Sequence, residues 1–447
     1  MSIRDKPPWS PLDPERFEFV VVSFEGPDPY SQAGGLGVRV SGLVETLASA
    51  GYETHLFFIG DPDLPGEETI VGDKLVLHRW AQWISTNCRH GVYDGEAGKV
   101  ADVTTALPAF LVERVLLPAI RTGRVPIMVF EEWQTAECAC RVSDLLIAHG
   151  VRDRAVLSWN ANNCYGFEQI DWMRLSAATL ITTISRYMRG IIRSWGADAR
   201  VIPNGLSPRA LDVVPPADVK RLRAALQASD DVGFLFKMAR WEHEKGWSQA
   251  LDAIQTARDN GAHRRPILIA RSGGPTGSGT ELVAHADTRR LRVVSFETEN
   301  SFFAGVARAV RADNDVVSLR FGVSAAFARV LYAAVDGVLA NSVSEPFGLV
   351  GLEAMAAGGV AFTGGTGEDY AIGGRNAIVL DTMEPSEILM RWNELSASPD
   401  LGRRLRRAAR KTAREYAWSI VAEKLMRSLL SPRTTWRPST SCPRASA

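Results

Sequence analysis

The strongest constraint in this sequence is a repeated alternation between short apolar segments and helical segments. FEFVVVSFEG at 17–26 is an apolar run that ends in glycine, and THLFFIG at 54–60 is a second one. Between them, Leu43 and Leu47 stand at helical spacing and Gly51 stands where a helix would end. This strand–loop–helix–strand unit predicts a parallel sheet whose strands are buried on both faces.

The alternation continues in two series, separated by the proline-rich stretch VIPNGLSPRALDVVPPADV. The first series adds apolar segments at 125–132, 154–160, 178–185 and 199–205. The second contains segments at 232–240, 265–273, 291–297, 315–321, 337–342, 359–364 and 377–381. Two such series predict two Rossmann-like, doubly wound α/β domains with a cleft between them, in which ligands bind beyond the carboxyl ends of the strands.

The predicted domain boundaries follow these series. A loose, proline-rich lead-in covers 1–16, the first domain covers 17–205, and the second covers 206–400. Residues 401–430 are predicted to form one amphipathic helix or two, and 431–447 a disordered tail.

Charge and cysteine content narrow the functional classes. The 51 Lys and Arg residues balance 51 Asp and Glu, so the chain lacks the basic excess on which blanket binding to nucleic acid depends. No uninterrupted apolar run reaches the roughly 18 residues of a spanning helix, and the N-terminus has no signal-peptide pattern. Five scattered cysteines favour reduced thiols, with a metal site as the alternative. A cytoplasmic enzyme or binding protein is the expectation.

The most informative motif is SEPFGLVGLEAMAAGG, with Glu345 and Glu353 eight residues apart. Pro346 suits the first turn of a helix, and the glycine pair at 358–359 suits its end. Glu345 and the amides of Phe347, Gly348 and Leu349 are then expected at a helix start, where the amides can bind a phosphate or sugar oxygen. The alternative is a capped core helix with two solvated acids.

Two further loops follow predicted strands. Arg240 and Lys245 follow VGFLFKM, and both side chains can bind phosphate oxygens. A charged surface loop is the alternative interpretation. SQAGGLGVR places Gly34 and Gly35 at a helix start, where the backbone can approach an anion closely. A dinucleotide fingerprint does not fit because position 40 is valine, and a tight turn without a ligand is the alternative.

In this order and on these elements, the motifs resemble family 4 of the retaining nucleotide-sugar glycosyltransferases, which have the two-domain fold called GT-B. The glycine loop is also similar to that of glycogen and starch synthases. The matching segments are AGGLG at 33–37, VIPNG at 201–205, Arg240 with Lys245, 336–358, and GGTGED at 364–369. The resemblance spans roughly 17–425. It implies that the first domain is the acceptor side, that the second binds the nucleotide-sugar donor, and that the helical region 401–430 crosses back to the first domain.

The resemblance implies roles for these residues. Arg240, Lys245 and Glu345 are the implied catalytic residues: the two cations neutralise the leaving diphosphate and Glu345 lies against the donor sugar. The implied donor-binding residues are Gly34, Gly35, Phe347, Gly348, Leu349 and Glu353, of which Glu353 holds the ribose. It also implies front-face transfer with retention, without a metal or a cofactor.

The acceptor side departs from the synthase pattern. Synthase relatives carry histidines in segments like HDW and THN, where this chain has Glu131-Glu132-Trp133 and Ser158-Trp159-Asn160, and Gln32 replaces a lysine before the glycines. Glu131, Glu132, Trp159 and Asn160 are therefore candidates for acceptor binding. The two acids could equally be helix-start residues.

The functional expectation is a hexosyl transfer from a UDP-, ADP- or GDP-linked sugar to a hydroxylated acceptor, a sugar or a small molecule. The alternatives are a nucleotide-sugar-binding protein without transfer activity and a GT-B epimerase. The basic run at 403–414 adds contact with an anionic membrane or a polyanion, against the alternative of a solvated helix face.

Overall fold

The computed structural model describes residues 13–226, 231–273 and 279–431. Most of the predicted lead-in and nearly all of the predicted C-terminal tail lie outside these residues, whereas Pro14–Arg16 forms a short 3₁₀ turn. The chain divides into two compact units: Met1–Gly205 with Trp418–Ala447, and Leu206–Ala417.

The first unit is built around one eight-stranded sheet. Its elements are β1 (Phe17–Val22), α1 (Gly35–Ser49), β2 (Glu53–Ile59), β3 (Glu67–Ile70), β4 (Leu75–Trp80), α2 (Gln82–Ser85), α3 (Glu96–Thr105), α4 (Leu107–Phe110), α5 (Leu117–Arg121), β5 (Val125–Glu131), α6 (Ala136–Ala148), β6 (Val156–Ala161), α7 (Trp172–Ala178), β7 (Leu180–Thr183), α8 (Arg186–Ser194) and β8 (Arg200–Val201).

The strand order in this sheet is β3-β4-β2-β1-β5-β6-β7-β8, and every pair is parallel except β3 with β4. All six residues of β1 are buried, which explains why five of them are apolar. The sequence did not predict β3 and β4: Glu67–Ile70 is largely exposed, and β4 alternates between buried and half-buried residues.

The helical stretch Glu96–Arg121 in the first unit has the length and composition of a membrane span, with a mean hydropathy of 1.5 over its most apolar window. Half of that window is buried inside the protein, as expected for a core helix. The stretch also contains Pro108 and Pro118 and a π-helical segment at Leu111–Leu116.

The second unit contains a seven-stranded sheet in which all pairs are parallel. Its elements are α9 (Pro208–Leu211), α10 (Pro216–Leu226), β9 (Val232–Ala239), α11 (Trp247–Asn260), β10 (Arg265–Ser272), α12 (Thr280–Thr288), β11 (Val293–Phe296), α13 (Glu299–Arg311), β12 (Val316–Leu319), α14 (Ala325–Ala334), β13 (Gly337–Ala340), α15 (Leu349–Ala357), β14 (Ala361–Thr363), β15 (Ile378–Val379), α16 (Pro385–Ala397) and α17 (Pro399–Arg414).

The two C-terminal helices belong to different units. The last helix, α18 (Trp418–Leu429), packs on α1 of the first unit, and its Val421 and Leu425 join the core that α1 and β1 form. A Cβ atom at Gly42 or at Gly205 would overlap the Trp418 indole, so both glycines permit this close packing. In contrast, α17 packs on α15 within the second unit. The structure thus divides the predicted region 401–430, and only its second half joins the first unit.

Both sheets confirm the predicted α/β class, and each has a point where the strand order reverses. In the first sheet this point lies between β1 and β5, and in the second, whose order is β11-β12-β10-β9-β13-β14-β15, between β9 and β13. Loops that leave the carboxyl ends of two such strands diverge to opposite sides and leave a crevice, where ligands bind in open α/β sheets.

Candidate active site

The carboxyl ends of β9 and β13 bring several of the sequence-predicted residues to one edge of the second sheet. β9 ends at Ala239 and is followed by the loop that carries Arg240 and Lys245. β13 ends at Ala340, nine residues before α15 begins, and the intervening loop carries Glu345. Because β9 and β13 pair directly in parallel, the two loops leave the sheet side by side.

Lys245 and Glu345 form an ion pair in this crevice. The Lys245 Nζ lies 3.5 Å from the Glu345 Oε1, and the two side chains are 16% and 28% exposed. A 3₁₀ turn at His243–Lys245 ends at Gly246, whose φ of 66° favours glycine, and the Val343 amide donates to the Glu244 carbonyl at 2.8 Å. The two loops are thus fixed to each other beside the pair.

A buried lysine that the sequence analysis missed lies next to this pair. Lys237, in β9, donates to the Asn341 Oδ1 at 2.6 Å and lies 5.2 Å from the Trp247 ring centroid. The Asn341 amide group in turn donates to the Gly246 carbonyl at 3.0 Å. Burial lowers the pKa of Lys237 to about 7, with the Lys245 charge acting in the same direction and the Glu345 carboxylate opposing it. Lys237 therefore supports the turn that carries Lys245.

Arg240 is placed differently from Lys245. Its side chain is 60% exposed and pairs with Glu242 at 3.0 Å. Its carbonyl accepts a hydrogen bond from the Trp247 indole at 2.8 Å, which fixes the backbone. The guanidinium group is therefore exposed on a hydrogen-bonded backbone and is paired with Glu242.

The start of α15 differs from the sequence prediction. The helix begins at Leu349, not near Pro346, because Gly348 adopts a left-handed conformation with φ of 75° and ends the preceding loop. Phe347 is buried against Tyr370 at 5.6 Å between ring centroids, and the Tyr370 hydroxyl donates to the Gly348 carbonyl. The unpaired amides of the first helical turn accordingly start at Leu349.

Glu353 lies one turn into α15 and is half-buried. Burial raises the pKa of the Glu353 carboxyl to about 7, the Tyr332 hydroxyl opposes this shift, and the Glu345 carboxylate adds to it. The two carboxyl groups thus interact electrostatically, and both belong to the loop and helix that follow β13. Between them they offer one acid that titrates near neutral pH and one that is paired with Lys245.

In the first unit, the glycine loop surrounds a carboxylate from the protein itself. Glu25, three residues after β1, accepts hydrogen bonds from the amides of Ala33 (3.3 Å), Gly34 (3.0 Å) and Gly37 (3.0 Å). The Tyr93 hydroxyl donates to the other Glu25 oxygen at 2.8 Å. The helix starts at Gly35, so its amides do bind an anion, but the anion is an internal one.

The first sheet also places two acids at its reversal point, where β5 ends. Glu131 is fully buried and accepts from the Arg39 Nε at 3.2 Å and from the amide of Asn160 at 2.8 Å. Arg39 also donates to the Asn204 Oδ1 at 2.8 Å, which is the asparagine of the VIPNG segment. Glu131 is therefore the centre of a satisfied buried network, and Asn160 is part of that network and equally buried.

Glu132 is less satisfied than its neighbour. Its φ of 70° is a strained conformation for a residue with a side chain, and its Oε1 accepts from the Asn162 amide at 2.7 Å. The Oε2 is buried and has no partner among the described residues. Burial raises the pKa of Glu132 to about 8, and the Glu131 carboxylate adds to this effect. Strain and an unpaired buried oxygen together are features of functional residues.

Trp159 does not fit its predicted role as an acceptor platform. It is fully buried, donates from its indole to the Glu132 carbonyl at 2.8 Å, and packs against Trp172 at 5.7 Å between ring centroids. The prediction was wrong because the tryptophan lies in β6, whose residues are covered on both faces.

In the part of the chain that the structure describes, no group of three or more His, Cys, Asp and Glu side chains is arranged to hold a metal ion. Four of the cysteines, at 88, 138, 140 and 164, are free thiols. Transfer without a metal stays a prediction.

Comparisons with known proteins give the class. No protein family profile matches the chain. A protein of Corynebacterium jeikeium named D-inositol 3-phosphate glycosyltransferase is 25% identical over 419 residues, covering 88% of this chain and 90% of that protein. The chain is a glycosyltransferase with the GT-B fold. Sucrose-phosphate synthase of Thermosynechococcus elongatus has a similar structure, with a TM-score of 0.63, 17% identity, and coverage of 92% of this glycosyltransferase and 98% of the synthase.

A second solved structure similar to this glycosyltransferase contains a nucleotide. HepE of Anabaena, in complex with UDP, has a TM-score of 0.61 and 15% identity, covering 92% of this chain and 99% of HepE. At that identity the likeness shows the fold alone.

Proposed function

We propose that this glycosyltransferase moves a hexosyl unit from a nucleotide diphosphate sugar to a hydroxylated acceptor, with retained anomeric configuration and without a metal ion. The observation that carries the proposal is the Lys245–Glu345 ion pair at the reversal point of the second sheet, backed by the buried Lys237. Cations fixed at the carboxyl edge of such a sheet suit a ligand that carries a diphosphate.

When the donor binds, Lys245 exchanges its ion-pair partner Glu345 for the donor diphosphate. A donor diphosphate competes with Glu345 for the Lys245 ammonium, and charge-assisted hydrogen bonds of this kind contribute about 1.5–3 kcal/mol each. Glu345, released from Lys245, then accepts hydrogen bonds from the sugar hydroxyls. The pair thus keeps both side chains in position before the donor arrives, which lowers the entropic cost of binding.

Arg240 supplies the second cation on the diphosphate in this proposal. Its guanidinium is exposed and, among the described residues, pairs with Glu242 at 3.0 Å, so side-chain rotation suffices to bring it to a phosphate. An exposed ion pair contributes about 0–1 kcal/mol, which a bidentate contact with a phosphate exceeds. The remaining donor contacts are assigned to the amides that open α15 and to Glu353, which accepts from the ribose hydroxyls.

Retention follows from the resemblance to family 4. The bond between the anomeric carbon and the diphosphate oxygen breaks, and the acceptor oxygen forms its bond to the same carbon on the same face. The acceptor proton passes to the departing phosphate oxygen, so the reaction needs no protein base. Lys245 and Arg240 stabilise the negative charge that develops on the leaving group, which is the step on which catalysis depends.

For the acceptor we propose an uncharged polyol or sugar. The relative in Corynebacterium is named for a phosphorylated inositol, but the reversal point of the first sheet here carries three carboxyl groups, from Glu25, Glu131 and Glu132. Arg39 is already paired with Glu131 and Asn204. This cation is therefore not available to a phosphate, and the buried Glu132 carboxyl, which is mostly protonated at neutral pH, suits a hydroxyl better than a phosphate, so myo-inositol or an unphosphorylated sugar fits this chemistry better.

The test is a donor and acceptor screen with the full chain. UDP-, ADP- and GDP-glucose are incubated with myo-inositol, D-inositol 3-phosphate and common sugars, while released nucleoside diphosphate is measured and the product anomer is assigned by proton NMR. We expect release that depends on an acceptor and a product with retained configuration. Cytoplasmic localisation stays a prediction alongside it.

Matched variants make the test specific to the site. Lys245→Ala should lower turnover at least a hundredfold, whereas Arg403→Ala, an exposed cation of the same unit that pairs with Asp400, should leave it unchanged. Donor binding without release under any acceptor would favour the non-catalytic alternative, and an altered sugar on the nucleotide would favour an epimerase. Normal turnover in Lys245→Ala would refute the site.

A further inference from the structure

The second unit contains a pocket of about 550 Å³ that no part of the proposed transfer reaction uses. Its wall includes Ala333, near the end of α14, together with Ala357 and Gly358 at the end of α15. These helices lead into β13 and β14, so the pocket lies at the amino-terminal edge of the sheet. Lys245 and Glu345 follow the carboxyl ends of strands in the same sheet, at the opposite edge.

The lining of this pocket is cationic and apolar. Five basic side chains line it, two from α10 and three from α17, and no acidic residue does: Lys220, Arg223, Arg406, Arg407 and Arg410. Its apolar wall includes Val214 and Val219. Within residues 13–226, 231–273 and 279–431, none of the five forms a salt bridge with a carboxylate. Such a concentration of unneutralised charge is unusual in a pocket.

Two of the five cations have a structural role. Arg406 donates to the carbonyls of Gly358 at 2.9 Å and of Val335 at 2.7 Å, and Arg223 donates to the Ala334 carbonyl at 3.1 Å. They satisfy the last carbonyls of α14 and α15, which have no partner inside the helix. Lys220, Arg407 and Arg410 have no such contact among the described residues.

Arg410 brings a buried hydrogen-bond donor to the pocket. Its Nη2 is buried and has no hydrogen-bond partner among the described residues, an arrangement that costs about 1–3 kcal/mol or more for a charged group. The cations also repel one another: burial lowers the pKa of Arg406 to about 10, and the Arg223 charge adds to this effect. A bound anion would supply the missing acceptor and relieve the repulsion.

We infer that this pocket binds a phosphate monoester or diphosphate of metabolite size, held by Lys220, Arg407 and Arg410 with its organic part against Val214 and Val219. The volume lies in the range of roughly 300–1,000 Å³ that small-molecule sites occupy. Arginine and lysine are the side chains that bind phosphate oxygens, and the apolar wall suits an attached organic group. The phosphate belongs either to a free metabolite or to the headgroup of an anionic lipid.

The experiment measures binding to the full chain by calorimetry, with glucose 6-phosphate, AMP and inorganic pyrophosphate as probes and glucose as the unphosphorylated control. We expect saturable binding of at least one phosphate probe and none of glucose. The double variant Arg407→Gln/Arg410→Gln should weaken that binding at least tenfold. Lys220→Gln, a substitution of one exposed side chain, should weaken it about threefold and guards against misfolding of the double variant.

Two controls distinguish binding in this pocket from non-specific attraction by basic residues and from binding at the proposed donor site. Arg403→Gln/Arg404→Gln removes the same charge from exposed positions of α17 and should bind like the wild type. Lys245→Ala should leave the binding of glucose 6-phosphate unchanged and should weaken only a second binding event of AMP or pyrophosphate at the proposed donor site, which distinguishes the two sites. Failure of all three probes to bind, or equal binding by the pocket variants, would overturn the inference for a free metabolite.

A vesicle-binding experiment shows whether the phosphate belongs to a lipid headgroup or to a free metabolite. Sedimentation with phosphatidylglycerol-containing vesicles, compared with phosphatidylcholine alone, should show binding that Arg407→Gln/Arg410→Gln abolishes if the ligand is a lipid headgroup. Binding of soluble probes without vesicle binding assigns a free metabolite. If neither vesicles nor soluble probes bind in a pocket-dependent way, the pocket is not a phosphate site.

Discussion

Replacement of Lys237 by methionine is the sharpest test of the electrostatics around the Lys245–Glu345 pair. Methionine keeps the length of the side chain and removes the ammonium group. In the folded protein the pKa of Lys237 is lowered by burial to about 7, against 10.5 for an ordinary lysine. Each difference of one in pKa corresponds to about 1.36 kcal/mol, so the buried charge costs about 5 kcal/mol at low pH.

The free-energy cost of burying the Lys237 charge depends on pH. Between pH 7 and pH 10.5 the unfolded chain holds the Lys237 proton and the folded protein releases it, so the free energy of unfolding rises with pH. From pH 7 to pH 9 the rise amounts to about 2 kcal/mol. The hydrogen bond to Asn341, which Lys237→Met also removes, is lost at both pH values and cancels when the two are compared.

The assay is urea unfolding at pH 7 and pH 9, followed by tryptophan fluorescence, because Trp247 lies against Lys237. The wild type should gain about 2 kcal/mol between the two pH values relative to Lys237→Met. Lys74→Met, which removes a partly exposed lysine paired with Glu53, is the control and should follow the wild type. If wild type and Lys237→Met change in parallel, Lys237 does not titrate near neutral pH and the reasoning fails.

Three further predictions concern the glutamates. Burial raises the pKa of Glu132 from 4.5 to about 8, so the folded protein loses stability as the pH rises between those values. In urea unfolding, Glu132→Gln should therefore be more stable than the wild type by about 4 kcal/mol at pH 8, but not at pH 4.5. Glu353 titrates near pH 7, so its ionisation should raise the affinity for UDP-glucose several-fold from pH 6 to pH 8 in calorimetry relative to Glu353→Gln, which keeps the opposing titration of Lys237 but lacks this rise. Glu25→Ala leaves three loop amides without an acceptor and should cost about 2 kcal/mol; sulfate, but not chloride at equal ionic strength, should partly restore the melting temperature by binding to those amides.

The sequence predicts the strands that are buried on both faces, because a continuous apolar run is a strong local signal. Short or half-exposed strands such as β3 and β4 give no such signal. The start of α15 was misplaced because the left-handed conformation of Gly348 ends the preceding loop, and a proline nearby suggests an earlier start. Local sequence patterns thus predict helices and buried strands, whereas the geometry of the loops depends on tertiary packing.

The candidate site divides in the same way. The spacing of Glu345 and Glu353, and the position of Lys245 after a strand, are local features and were predicted. Lys237 was missed because its partner, Asn341, lies 104 residues further along the chain. A lysine inside the apolar run FLFKMA was the one available signal, since lysine is almost never fully buried without a partner.

The return of α18 to the first unit has a consequence for the synthesis of the protein. Val40, Leu43 and Leu47 of α1 pack in one core with Val421 and Leu425 of α18, which leave the ribosome almost 400 residues later. At a synthesis rate of about 5–20 residues per second, the apolar face of α1 stays exposed for tens of seconds until α18 has been made. The half of the molecule that is made first is therefore completed last, and a chain that stops before Trp418 is expected to require a chaperone.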